Sequence, residues 1–258
     1  MTRALKPRED QLPQVPPEDL GLVGEYDESD FTVPGWFLVQ PTSTEFEGVK
    51  AGTFATKDGR TAETLRVVIL RMAATRALWP REMGEGRRPL CASNDRIEGR
   101  PFGEFKPYVP DGGKIFCREC PHYDDTPWNG DAGCYKGYAI LFVLIDEDDE
   151  PGVIRVKGTS VGPVKQKVLS HFQPRPGRFP MPVWAKVFEF GSEKGESAKG
   201  NYFVLNPKLV GDAENVEHYR QLAQHLAGVK VGAVEEEEVP IDDEPIPDDE
   251  PPYEEEFR

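Results

Sequence analysis

Tyr138-Ala139-Ile140-Leu141-Phe142-Val143-Leu144-Ile145-Asp146 is apolar at every position between its two end residues, and Glu147-Asp148-Asp149-Glu150-Pro151-Gly152 follows it directly. Such a run has no polar face, so as a strand it is buried on both sides and central in its sheet. The acidic segment ending in Pro-Gly is turn chemistry. Beyond it Val153–Thr159 alternates so that Arg155 and Lys157 leave the sheet on one side. A hairpin built around a central strand makes the chain mainly β.

Strand signals continue on both flanks. Trp36–Gln40, Gly52–Thr56 and Thr64–Met72 are short β-type runs separated by turn residues such as Lys57-Asp58-Gly59. After the hairpin, a short helix from Gly162-Pro163 to Phe172 places Val164, Val168 and Phe172 on one face. Val183–Phe190 and Asn201–Asn206 then pair across a glycine-rich loop. A last helix, Asp212–Ala227, packs Val216, Tyr219, Leu222 and Leu226, with Asp212 as the expected cap and Gly228 as the stop. Within Val183–Phe190, alternation assigns Val183, Ala185 and Val187 to the core. Trp184, Lys186, Phe188 and Phe190 then face outward as an aromatic and basic ladder; the competing placement puts these rings beneath the last helix.

Four cysteines occupy the middle third, Cys91, Cys117, Cys120 and Cys134, with 25, 2 and 13 residues between them. The knuckle Cys117-Arg-Glu-Cys120 aims two thiolates at one ion, and four thiolates close a structural zinc site with no open position. The intervening sequence is rich in Gly, Pro and Asp, loop chemistry that needs a crosslink to hold a shape. A disulfide framework does not suit a reducing compartment, and a thioredoxin-type pair opens a helix, whereas Pro121 follows Cys120. His122 is an alternative ligand, at an awkward reach from Cys120.

The formal charge is −15, and the 24 residues Glu235–Arg258 contribute −12 of it through 13 acidic residues against one Arg. The body is nearly neutral, and its basic side chains can meet a polyanion while the tail stays unfolded in solvent. A solubility role is the plain alternative for the tail, yet it embeds Tyr253 and Phe257. The expected organisation is a proline-rich, partly disordered leader at 1–33, a body at 34–232 with a zinc insert at about 88–136, and a disordered acidic tail at 233–258. No apolar run approaches the roughly 20 residues that span a bilayer, and the first residues lack a secretion signal, so the expected location is the cytoplasm.

Three strands, a helix and two further strands is the chain order of an oligonucleotide-binding (OB) barrel. With that order, the acidic tail and its terminal aromatics, the chain resembles the single-stranded-DNA-binding proteins of bacteria and tailed phages. The metal insert resembles the phage helix-destabilising branch. Ile241-Asp242-Asp243-Glu244-Pro245-Ile246-Pro247 is similar to the acidic tips through which such proteins recruit replication and repair enzymes, although here Arg258 follows the terminal Phe257. The resemblance implies an OB-like barrel and a coat for single-stranded DNA in replication or recombination, in a phage-encoded setting, without strong sequence preference.

Such a binder needs cations against phosphate and rings for bases. The expected DNA-binding residues are Trp184, Lys186 and Phe188 on the ladder; Arg66, Arg155 and Lys157 on strands; and Lys106, Tyr108 and Arg118 in the insert. Asp242, Asp243, Tyr253 and Phe257 are the expected partner-binding residues of the tail. Catalysis is not expected: no glycine-rich phosphate loop opens a helix, and no nucleophile stands beside a base at motif spacing. A zinc-stabilised protein adaptor is the alternative function.

Overall fold

The computed structural model describes residues 33–79, 89–102, 115–123, 133–173, 181–198, 200–229 and 231. The leader, Lys106 and Tyr108, and the tail residues Asp242, Asp243, Tyr253 and Phe257 lie outside the described residues. The chain is mainly β. Its strands are β1 (Gly35–Leu38), β2 (Phe54–Thr56), β3 (Thr61–Ala62), β4 (Leu65–Trp79), β5 (Cys91–Ser93), β6 (Glu98–Pro101), β7 (Ile115–Phe116), β8 (Gly133–Leu144), β9 (Glu150–Lys157), β10 (Lys186–Ser197) and β11 (Gly200–Asp212). Tyr138–Leu144 of the apolar run lies within β8, and Ile145 and Asp146 follow in the turn; β8 pairs antiparallel with β4 on one side and β9 on the other. The path runs β3-β2-β1-β9-β8-β4-β5-β6-β7, and β10 with β11 branches from the first half of β4. The β1–β9 pairing is parallel, so the sheet is mixed, and it is open.

Both faces of β8 are covered, as a run with no polar side requires. Tyr138, Ile140, Phe142 and Leu144 join Leu65, Val67 and Ile69 of β4, Ile154 and Val156 of β9, and Phe188 and Phe190 of β10 in one core. Val164 and Val168 close that core from a continuous helical segment: α1 (Val161–Val164), a π turn (Lys165–Leu169) and α2 (Ser170–Phe172). On the opposite face Ala139, Leu141 and Val143 meet Val68, Leu70, Val153 and Val187 beneath α3 (Val216–His225).

This double covering corrects the reading of the aromatic ladder. Val183–Ala185 is a 3-10 turn, not strand, and Trp184 on it is half-buried against the α3 side. Phe188 and Phe190 are fully buried in the first core, with Phe190 meeting Phe142 edge to face at 6.0 Å. Lys186 is engaged by the Asp212 carboxylate. Period-2 alternation sorts side chains into two sets without saying which set is inside, and here the bulky rings, with more apolar area to remove from water, take the interior.

The last helix is corrected as well. Asp212 ends β11, and Asn215 is the cap, its side chain accepting from the His218 N–H at 3.2 Å. Two latches hold α3 on the sheet. Arg71 of β4 donates to the carbonyls of Ala227 and Val229 at the helix's C-terminal end, where dipole and charge agree. At the other end Asp149, in the β8–β9 turn, meets His218 Nε2 at 2.9 Å and accepts from the Tyr219 hydroxyl at 3.2 Å. Burial first, and then this carboxylate, push the Tyr219 phenol up to about 12.

Between β11 and β1 no ladder forms among the described residues, and side chains span the gap instead. The Gln40 amide donates to the Phe203 carbonyl at 3.0 Å and accepts from the Phe203 N–H at 2.9 Å, as a neighbouring strand's backbone would. Ser160 Oγ accepts from Leu205 N–H at 3.0 Å, and Ser192 Oγ donates to the Gly52 carbonyl. Gly52 has φ +90, and a Cβ there would stand 2.5 Å from the Phe203 ring. Gly52→Ala therefore combines backbone strain with overpacking and is expected to lower stability by about 2–4 kcal/mol, read as a fall in the urea midpoint. A midpoint within experimental error of the parent would contradict the packing described for this seam.

Candidate metal centre and nucleic-acid interface

Past the core, the second half of β4 and the first half of β8 continue as a paired arm, on which the small strands β5, β6 and β7 are built. Leu78 is the pivot. It pairs with Cys91 of β5 on one side and Cys134 of β8 on the other, so those two sulfurs flank one residue on one face of the arm. The knuckle supplies the other two: Cys117 opens a 3-10 turn after β7, and Cys120 closes it, its N–H reaching the Phe116 carbonyl at 3.1 Å. All four cysteines line one cavity of about 20 Å³ with Leu78, Ile115, Arg76 and Tyr123, room for a single ion or water and for no organic substrate.

The donor set, the size of the cavity and its surroundings fit a closed tetrathiolate site. Burial, and then the three neighbouring sulfurs, push the Cys91 thiol up to about 12, so a divalent cation is what would hold this cluster ionised. Burial raises the Cys134 thiol while the Arg76 guanidinium pulls it the other way. Gly99 leaves space that a Cβ would take, 2.8 Å from Cys91 Sγ. No group of three or more His, Cys, Asp or Glu among the described residues already stands in ligating geometry. A tetrahedron of about 2.3 Å bonds therefore requires the four side chains to turn inward. His122 is half-buried in the turn after Cys120 and completes no such group.

Rings and cations gather around this end. The Lys157 ammonium lies 5.1 Å from the Trp79 ring centroid, Lys136 lies 5.8 Å from Tyr123, and Arg100 lies 5.8 Å from Phe102. Arg96 stacks 4.6 Å over Tyr138 and donates to the Thr75 and Gly137 carbonyls, tying the module to the arm. Asp95 turns the β5–β6 connection by accepting from the Ile97 and Glu98 N–H groups at 2.7 and 3.0 Å. The Ile97 bond foremost holds this carboxyl below its usual range. Phe116 and Ile97 are exposed at the module's tip, at 48% and 63%.

Four cations on the body are neutralised instead. Arg66 pairs with Asp146 at 2.8 Å, Arg60 with Glu150 at 2.6 Å, Lys208 with Glu189 at 3.8 Å, and Lys186 with Asp212. Among the described residues, Arg100, Arg118, Lys136 and Lys157 have no carboxylate partner. Of the residues expected to bind DNA, the structure thus brings Lys157 and Arg118 to the cysteine end and places Arg155 half-buried on the β9 face beside Lys157. Trp184, Lys186, Phe188 and Arg66 lie elsewhere, packed or paired.

Sequence reasoning missed Trp79, Lys136 and Arg76. The signal was the alternation of small residues Ala73, Thr75 and Ala77 leading to Trp79, which extends β4 beyond Met72 although Ala is a poor strand former. Comparison with protein-family models, curated proteins and solved structures returns no match.

Proposed function

We propose that the protein binds single-stranded DNA across the arm and metal module, with little sequence preference, as a coat in replication or recombination. The observation that carries the reading is a cluster of cations at one end: Lys157, Lys136 and Arg100 face aromatic rings and, among the described residues, no carboxylate, whereas Arg60, Arg66, Lys186 and Lys208 on the body are paired with carboxylates. Unpaired bases need rings to stack on and phosphates need cations with no resident counter-ion, and this end supplies both. The strand succession β4, β8, β9, then α1–α2, then β10 and β11, with β4 shared between β8 and β10, supports an OB-like barrel completed by the side-chain seam at Gln40. In that fold the face of the second and third strands and the adjoining loops hold oligonucleotides, and here that face carries Lys157. A zinc ion on Cys91, Cys117, Cys120 and Cys134 would fix the module against the arm. The protein is read as a binder and not an enzyme.

In this reading the acidic tail competes for the basic end and, once displaced by DNA, becomes available to replication or recombination proteins. Titration with oligo-dT, oligo-U and duplex DNA tests the binding itself; saturable binding to oligo-dT well above duplex is expected. Removing residues 235–258 is expected to tighten oligo-dT binding at low salt and to make it less sensitive to salt. Unchanged affinity in the shortened chain would remove the competition from the proposal. The exposed Phe116 and Ile97 favour a second reading, a zinc-stabilised protein adaptor; it predicts no change in tryptophan emission with any oligonucleotide.

A further inference from the structure

Arg76 is the most buried cation among the described residues, at 2% exposure. It lies on β4 two positions before Leu78, on the face where Cys91 and Cys134 flank that residue. Its guanidinium carbon sits 3.7 Å from the Tyr123 ring centroid, Nη1 donates to the Tyr123 carbonyl at 2.7 Å, and the same nitrogen lies 3.7 Å from Cys134 Sγ. Nε and Nη2 are buried with no hydrogen-bond partner among the described residues. No carboxylate among the described residues pairs with it.

A guanidinium cannot shed its charge, and a buried cation without a counter-charge costs several kcal/mol. Four thiolates around one Zn²⁺ carry a net charge of −2, and the same burial penalty applies to that excess. Each group lacks what the other supplies. We propose that Arg76 is the buried counter-ion of the metal centre, a positioning residue that favours the tetrathiolate state and carries metal occupancy to the Tyr123 backbone. The inference rests on the metal reading of the four cysteines and is independent of DNA binding. When the ion is present, Arg76 balances it and clamps the turn after Cys120 to β4. When the ion is absent, burial of the unbalanced Arg76 charge opposes closure of the module over β4.

The consequence is an effect on stability whose sign depends on metal. Zinc affinity of the full chain is measured by competition with a chromophoric chelator, and thermal unfolding is followed with zinc and with excess EDTA. Arg76→Met is expected to bind zinc about 10- to 100-fold more weakly, the range for loss of an outer partner of a metal site. In EDTA the same variant is expected to melt at or above the parent's temperature, because it no longer buries an uncompensated charge. Arg76→Lys retains the charge and is expected to keep more of the affinity than Arg76→Met, which holds the test open should the latter fold poorly with zinc. Equal zinc affinity in the parent and Arg76→Met would overturn the assignment, as would the same fall in melting temperature with and without zinc, the mark of packing alone. A parent chain that takes up no zinc would overturn the metal reading and this inference together, whatever the oligonucleotide titrations show.

Discussion

Trp79→Ala is expected to weaken oligo-dT binding by roughly 5- to 150-fold, the equivalent of about 1–3 kcal/mol for one stacked base. Trp79 ends β4 on the arm and meets Lys157 of β9, so ring and cation can serve one nucleotide. Trp79→Phe keeps a stacking surface and should retain most of the affinity while losing most of the fluorescence quenching. Trp36 is 2% exposed and Trp184 packs on the α3 side, so neither should report strongly on DNA. Lys157→Ala is expected to lower affinity and to reduce the slope of log K against log salt by about one, the signature of one lost phosphate contact. Binding by Trp79→Ala within twofold of the parent, with quenching preserved, would move the interface away from this face.

If the four cysteines hold zinc as proposed, its withdrawal is expected to have the largest effect on structure, and a local one. Among the described residues, the cluster around the cysteines has Leu78 and Ile115 as its buried aliphatics. So small an apolar core gives β5–β7 little hold of its own, and in the metal proposal bonds to the ion supply the rest. Cys117→Ser, or chelation of the parent, is expected to abolish amide protection across Cys91–Pro101 and Ile115–Cys120. Ile140–Val143 and Val67–Ile69, fully buried in the main core, should stay protected. One zinc per parent chain and none in the variant is the expected stoichiometry. Persistent protection of β5–β7 in a metal-free chain would show that the module stands without an ion.

Much of the architecture was legible because it rests on local periodicity. The Tyr138–Asp146 run has no polar side, and its Tyr138–Leu144 part is a strand buried on both faces; the spacing of Val164 and Val168 placed both against the main core. The cysteine spacing anticipated four thiols around one cavity. The interface was less legible. Phe188 carries the pattern of an exposed ladder and is buried, whereas Trp79 closes a weak alanine-rich stretch and stands beside a cation.

The sequence alone determined what depends on the order of neighbours: a β-dominated chain, a helical turn between hairpins, a four-thiol spacing and a terminal polyanion. Only the tertiary structure decided which face of a strand is inside, because that depends on what covers it. The α1–α2 segment claims Phe188 and Phe190, and α3 claims Val187 and Trp184. It also decided how far β4 runs, since Ala73–Trp79 is strand through pairing with Gly133–Ala139 rather than through its own propensity. The same pairing places a buried arginine beside four sulfurs: charges distant in the chain come to share one low-dielectric cavity only when the sheet has formed.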